Sequence, residues 1–121
     1  MRTFDFALTP INQSMTYDAG LVARVEDALR AMRELNIRQK AMFGRRGFMR
    51  GKSAFLIVRD DGLVVKVPKS EYVELLQQSG IAPFAPGGDK PMGTWVEVAS
   101  EVVADDPELH DWIRRGLGGI S

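Results

Sequence analysis

Two glycine-containing patterns and one histidine are the places in this sequence where chemistry is easiest to imagine. Gly51-Lys52-Ser53 resembles the end of a phosphate-binding loop, in which backbone N–H groups and a lysine hold phosphate oxygens. That loop needs a glycine five residues before Gly51 and a helix after Ser53, whereas this chain has Arg46 and then a strand-like segment. The pattern therefore predicts a hairpin turn and disfavours a nucleotide site.

Gly44-Arg45-Arg46-Gly47 has the spacing of a G-x-x-G loop that clamps the RNA backbone in one class of module. In that module the loop joins two helices, but here Met42-Phe43 and Phe48-Met49 on either side are predicted strands. We therefore predict a solvated hairpin tip from which Arg45 and Arg46 project.

The residues needed for metal binding or nucleophilic catalysis do not occur at useful spacings. His110 is the only histidine and the chain has no cysteine, whereas a zinc site needs several such ligands. No serine lies in the Gly-x-Ser-x-Gly pattern of a nucleophile elbow. We predict no catalytic residue, no metal site and no cofactor, and hence a protein that is not an enzyme.

The composition is typical of an ordinary globular domain. The chain has 121 residues, of which 45% are hydrophobic and 26% charged, and its 16 basic residues balance 16 acidic ones. This balance gives no overall field that favours nucleic acid or a membrane surface. No apolar run approaches the roughly 18 residues of a membrane span, and the absence of cysteine fits a reducing compartment. We predict a cytoplasmic protein with no membrane partner.

Charge is nevertheless distributed unevenly along the chain. Residues 38–59 include seven basic residues and no acidic one, and residues 97–111 include six acidic residues and no lysine or arginine. Two solvated faces would explain this pattern, and a basic binding surface is the alternative. The candidate binding residues are Arg38, Lys40, Arg45, Arg46, Arg50 and Lys52.

The first part of the chain predicts an arm followed by an amphipathic helix. Residues 1–16 have no sustained periodicity and are predicted to form an N-terminal arm. Asp18 can cap the following helix, in which apolar residues as far as Leu35 recur at three- and four-residue steps. We predict that this helix ends near Asn36 and that residues 17–121 form a single domain.

Short strands with glycine turns follow the first helix, as in antiparallel hairpins. The predicted strands are Lys40–Phe43, Phe48–Arg50, Ser53–Arg59, Leu63–Val67 and Met92–Val98, and the later helices are Glu71–Gln78, capped by Ser70, and one capped by Asp106. Residues 82–91 contain three prolines and two glycines, which predicts an irregular loop. Strands in runs indicate an α+β domain with an antiparallel sheet. The expected order is one helix, three or four strands, a second helix, one or two strands, and a third helix.

Both faces of the central strands have bulky residues. In the third predicted strand, Leu56 and Val58 alternate with Phe55 and Ile57, whereas a sheet that is wet on one side would alternate apolar with polar residues. The arm, the last helix or another subunit must cover the second face. We therefore predict a homodimer, with coverage by the arm as the competing outcome.

Several segments together resemble the TfoX/Sxy N-terminal domain family. These are Lys40-Ala41-Met42-Phe43-Gly44, Gly47-Phe48-Met49, Pro91-Met92-Gly93-Thr94-Trp95-Val96-Glu97-Val98 and Trp112-Ile113-Arg114-Arg115-Gly116. With the amphipathic helix before them, the resemblance extends from Tyr17 to Leu117. It implies a two-layer α+β fold in the order helix, three strands, helix, two strands, helix.

The resemblance also implies a function. It points to a non-catalytic binding or regulatory domain that acts through protein contacts and is linked to transcription or competence control. A weak nucleic-acid-binding module using the basic segment 38–59 is the alternative. The predicted partners are a protein of unknown identity, a second copy of the chain, and nucleic acid held weakly.

Overall fold

The computed structural model of the protein describes residues 16–121. In chain order its elements are α1 (Ala19–Ala31), β1 (Ile37–Met42), β2 (Arg45–Arg50), β3 (Ser53–Val58), β4 (Gly62–Lys66), α2 (Lys69–Leu75), β5 (Ile81–Pro83), β6 (Trp95–Ala99), a 3₁₀ turn (Ser100–Val103) and α3 (Asp106–Gly119). The predicted α+β class is confirmed. Four strands, rather than the three implied by the family resemblance, lie between the first two helices.

A six-stranded sheet in the order β1-β2-β3-β4-β6-β5 organises the described chain. Every neighbouring pair of strands is antiparallel. Apolar residues of α1 and α3 pack with Leu56, Val65 and Val96 on one face of the sheet, where they form the main core. We call this the helix face and the opposite side the open face. The predicted arm over residues 1–16 lies outside the described residues except for Thr16.

α1 ends five residues earlier than its apolar periodicity predicts. Arg33 adopts a left-handed φ of 59°, and the N–H of Glu34 donates to the carbonyl of Leu29 while that of Arg33 donates to Arg30. This pair of hydrogen bonds is a Schellman motif, which satisfies the last free carbonyls and stops the helix. Leu35 therefore lies beyond the helix and is 81% exposed, so the prediction that the apolar face of the helix extends to Leu35 is wrong.

The β1–β2 hairpin turns at different residues from those predicted. Met42 pairs with Arg45, so the turn consists of Phe43 and Gly44, whose φ angles are 53° and 74°. Positive φ at both central residues is the requirement of a type I′ turn, which matches the twist of the two strands.

Because the turn is this short, Arg45 and Arg46 belong to β2 and are partly buried. The prediction that they project into solvent from a hairpin tip is therefore wrong. Gly47 also lies inside β2, and a Cβ atom there would stand 2.4 Å from the sulfur of Met42. Its missing side chain makes room for Met42 on the open face.

A β-bulge in β3 explains part of the bulk on both faces of the central strands. Phe48 pairs with Leu56 and Met49 pairs with Ala54, which leaves Phe55 as the extra residue. A bulge disturbs the two-residue alternation of a strand. Phe55 and Leu56 consequently both belong to the main core and are fully buried.

The segment between β5 and β6 covers the centre of the open face. Ile57 and Val64 are paired across β3 and β4, and Phe84 and Trp95 pack on them in a second apolar cluster. Ile57 is 1% exposed and Val64 is 0% exposed. Within residues 16–121 these two side chains are thus covered by their own chain, without a second subunit.

The remaining predicted boundaries also shift. The loop predicted over residues 82–91 begins in strand β5, and the strand predicted from Met92 begins at Trp95. α2 starts after Pro68 without a side-chain cap, and Asp105, rather than Asp106, is the N-cap residue of α3. None of the described helices is both long and apolar enough to cross a bilayer.

Candidate functional site

The candidate functional site is a groove on the open face of the sheet. It has a volume of about 380 Å³ and lies where the β1–β2 turn meets the segment after β5. Its lining consists of Phe43, Arg45, Ile57, Arg59, Val64, Phe84, Ala85, Pro86 and Glu97. We call this set the open-face groove. Its volume lies at the lower end of the roughly 300–1,000 Å³ of small-molecule sites.

Phe43 forms one wall of the groove in a strained conformation. It is 55% exposed and has a φ of 53° at the first central position of the turn. Asn, Asp or Gly normally occupies that position, because a bulky side chain is strained at positive φ. Its ring stands edge-on to that of Phe84, with 5.6 Å between the ring centroids. A strained, exposed aromatic residue beside a groove is the kind of outlier that suggests function.

Arg45 is a cation of the groove without a carboxylate partner among residues 16–121. Its Nη1 donates to the carbonyl of Phe43 over 3.3 Å, and its Nε is buried without a hydrogen-bond partner. The described ion pairs do not include Arg45. Because Nη1 makes the one described hydrogen bond of this guanidinium, its terminal nitrogens retain unused donors for an anion.

Arg59, the second arginine of the groove, is already neutralised. Its Nε lies 3.3 Å from Oδ1 of Asp61 and its Nη1 lies 3.3 Å from Oε1 of Glu97. Its side chain is only 19% exposed, so the two carboxylates fix its position. Arg59 and Glu97 therefore form a rigid polar end of the groove, while Arg45 supplies its uncompensated charge.

The structure divides the six candidate basic residues between different surfaces. Arg38, Lys40 and Arg45 lie on the open face. Along β1 and β2 they alternate with residues whose side chains face the helices. Arg38 donates to the carbonyl of Gly51 over 2.9 Å. Lys40 is exposed.

Arg46 and Arg50 lie on the helix face instead. Arg46 donates to the hydroxyl of Tyr17 over 3.1 Å and stacks over the same ring, with 5.3 Å to its centroid. Arg50 contacts the carboxylate of Glu34 over 3.4 Å and the hydroxyl of Ser121 over 3.3 Å. Both guanidinium groups thus bridge neighbouring segments.

The two motif-like patterns both fall in hairpins. Lys52 lies in the turn between β2 and β3, and Ser53 starts a strand, so backbone N–H groups there do not converge as in a phosphate-binding loop. His110 borders a shallow cavity beside Asp27 and Asp106. The described residues contain no group of three or more side chains suited to hold a metal ion.

The sequence did not indicate the open-face groove, because Phe43 was predicted to lie in the strand Lys40–Phe43 and not in a turn. The dipeptide Phe43-Gly44 at a strand end was the available signal, since glycine is favoured at the second position of a two-residue hairpin turn. The ion pair of Arg59 with Glu97 joins residues 38 positions apart, and nothing in the local sequence indicates it.

Comparisons with known proteins place the chain in a family. Neither the comparison with curated proteins nor that with solved structures finds a match. The sequence model described as TfoX N-terminal domain matches residues 27–120, which include all six strands and every residue of the groove. This match confirms the resemblance found in the sequence, and the chain belongs to the TfoX N-terminal domain family.

Proposed function

We propose that this protein is a non-catalytic regulatory domain that contacts a protein partner through the open-face groove, in transcription or competence control. The observation that supports this most is Phe43, an aromatic side chain that is 55% exposed although its backbone has a φ of 53°. Such strain persists only where the surroundings enforce it, and it concentrates at binding sites. Membership of the TfoX N-terminal domain family supports a regulatory type of domain.

A photo-crosslinking experiment tests the contact. p-Benzoyl-phenylalanine replaces Lys40, which is exposed on the open face, or Arg114, whose side chain on α3 is 61% exposed. We expect irradiated cells to give a protease-sensitive, nuclease-resistant adduct from position 40 and none from position 114. The adduct should disappear when Phe43→Ser is added.

A transcript measurement tests the regulatory role in parallel. Deleting the gene should change a defined set of transcripts, and the wild-type chain should restore them while Phe43→Ser should not. Arg114→Glu is the matched control and should restore them fully. An unchanged transcript profile after deletion would reject the regulatory role, and crosslinks of equal yield from both positions would reject the open face.

Binding of single-stranded nucleic acid is a second candidate, favoured by one observation. Arg38, Lys40 and Arg45 share the open face with the exposed ring of Phe43, and sheet faces bind single strands through aromatic stacking and nearby cations. Each neutralised phosphate contributes about 0.7 to the salt slope of single-strand binding. Replacing all three cations by alanine should therefore lower that slope by about two in fluorescence anisotropy. No binding by the unmodified protein at low salt would remove this candidate.

A further inference from the structure

We propose that the open-face groove recognises a partner segment that combines a large apolar side chain with an adjacent carboxylate, as in an acidic, phenylalanine-containing peptide. The inference rests on the proposed function and specifies the chemistry of its protein partner. One half of the groove is apolar and the other is cationic, and each half matches one part of such a segment.

The apolar half is suited to an aromatic side chain. Phe43 stands edge-on to Phe84, which packs on the buried pair Ile57 and Val64, and Pro86 lines the same cavity. Aromatic side chains bury a large area at low entropic cost and dominate the binding energy of many interfaces. A phenylalanine entering beside Phe43 would replace water on that exposed ring.

The cationic half is suited to one carboxylate. Arg45 has no carboxylate partner among the described residues, and a charge-assisted hydrogen bond from its terminal nitrogens to a carboxylate would be among the strongest it can form. Arg59 is held by Asp61 and Glu97, so it does not compete for the incoming anion. An aromatic group and a carboxylate on neighbouring residues would reach both halves of the groove together.

The groove favours a peptide over a nucleic acid. Of the cations that line the cavity, Arg59 is paired with Glu97 and Asp61, so Arg45 could neutralise the first phosphate of a strand while the second and third would lie beside Glu97 without a cation. Its ion pair with Arg59 holds that negative charge in place. A peptide with a single carboxylate needs only Arg45.

The conformation of Phe43 agrees with a role as an anchor. Asparagine or glycine would form the same type I′ turn without strain, whereas a non-glycine residue held in this region costs on the order of 1–3 kcal/mol. The chain nevertheless places a phenylalanine there and leaves it 55% exposed. A binding surface explains both the residue type and its exposure.

Amide chemical-shift mapping on the full, isotope-labelled chain tests the proposal with a defined probe. The probe is Ac-Gly-Ser-Phe-Asp-Phe-Ser-Gly-NH₂, added up to about 1 mM, a concentration that reveals even weak binding. We expect shifts confined to the amides around Phe43, Arg45 and Val64. A peptide with Lys in place of Asp, and one with Ser in place of both Phe residues, should each bind at least about tenfold more weakly, a loss of about 1.4 kcal/mol.

Variants of the protein provide the second arm. Arg45→Glu should weaken binding at least about tenfold, a difference of about 1.4 kcal/mol, and Arg114→Glu on α3 should leave it unchanged. Arg45→Gln replaces Arg45→Glu if the latter loses its dispersed spectrum, and it should weaken binding in the same direction.

Four results would overturn the proposal. They are no shift with the probe, shifts centred on the helix face, equal binding of the lysine peptide, and shifts from an oligonucleotide but not from the peptide. If the amide shifts at the groove change with protein concentration in the absence of peptide, a second copy of the chain binds the groove instead. If the crosslink from Lys40 persists while the probe fails, the proposed function stands and only this specificity is lost.

Discussion

Two glycines of α3, two residues apart, should respond in opposite directions to the same substitution. A Cβ atom on Gly116 would lie 2.8 Å from the carbonyl oxygen of Phe55 and 3.1 Å from its Cδ2. On Gly118 the nearest atom would be Cγ of Pro68, 3.7 Å away, which is an ordinary contact. Gly116 is buried against the sheet and Gly118 is exposed, so the pair isolates the contact of α3 with β3.

The expected magnitudes follow from two opposing effects. Alanine is favoured over glycine inside a helix by about 1 kcal/mol, whereas forcing an extra carbon into a packed interior costs about 1–3 kcal/mol. At position 116 the obstacle includes a backbone carbonyl of β3, which cannot move away by changing a rotamer. Gly116→Ala should therefore lower the free energy of unfolding by up to about 2 kcal/mol, and Gly118→Ala should raise it by up to about 1 kcal/mol.

Urea unfolding followed by circular dichroism measures both changes. The slope of the unfolding free energy against urea should stay the same in all three proteins, so that a shift in midpoint reports stability alone. If Gly116→Ala stabilised the protein as much as Gly118→Ala, helix propensity would be the only effect at work. The close approach of α3 to β3 would then be refuted.

The other predictions concern the core, the strained turn and self-association. Leu56→Ala should lower the free energy of unfolding by about 2–5 kcal/mol in the same assay, because Leu56 is fully buried. A loss below about 1 kcal/mol would contradict its place in the core. Phe43→Asn should change stability by less than about 1 kcal/mol, since relief of strain offsets the lost contact with Phe84, yet it should abolish probe binding. Light scattering tests the predicted homodimer. Because Ile57 and Val64 are covered within the chain, we expect a mass near 13.4 kDa, and twice that mass would support the dimer.

The elements that the sequence predicted well are those whose local pattern matches their final environment. Asp18 accepts from the N–H of Leu21 as an N-cap, and the apolar stripe from Leu21 to Leu29 is buried as expected. Gly51 has a φ of 62° in the β2–β3 turn, which agrees with the predicted hairpin. In each case the signal and the structure that it specifies lie within a few residues of one another.

The helix end and the first hairpin were less predictable because unusual residues occupy positions that normally favour glycine or asparagine. Arg33 takes the left-handed position of the Schellman motif, where glycine is the usual marker of a helix end. Phe43 takes the corresponding role in the type I′ turn. Without the usual residue, hydrophobic periodicity predicted an α1 that continues past its true end and a hairpin turn that lies closer to Gly47.

Coverage of the open face depends on contacts that no local pattern contains. The bulge turns Phe55 towards the helices, and Phe84 and Trp95 then cover Ile57 and Val64. Among residues 16–121, this face then retains one exposed large aromatic ring, Phe43, beside an arginine without a described carboxylate partner. Bulky residues on both faces of β3 suggested a broad surface for a second subunit, whereas the described chain leaves a groove of about 380 Å³. A site of that size is better matched to one or two side chains of a partner than to the flat face of another sheet.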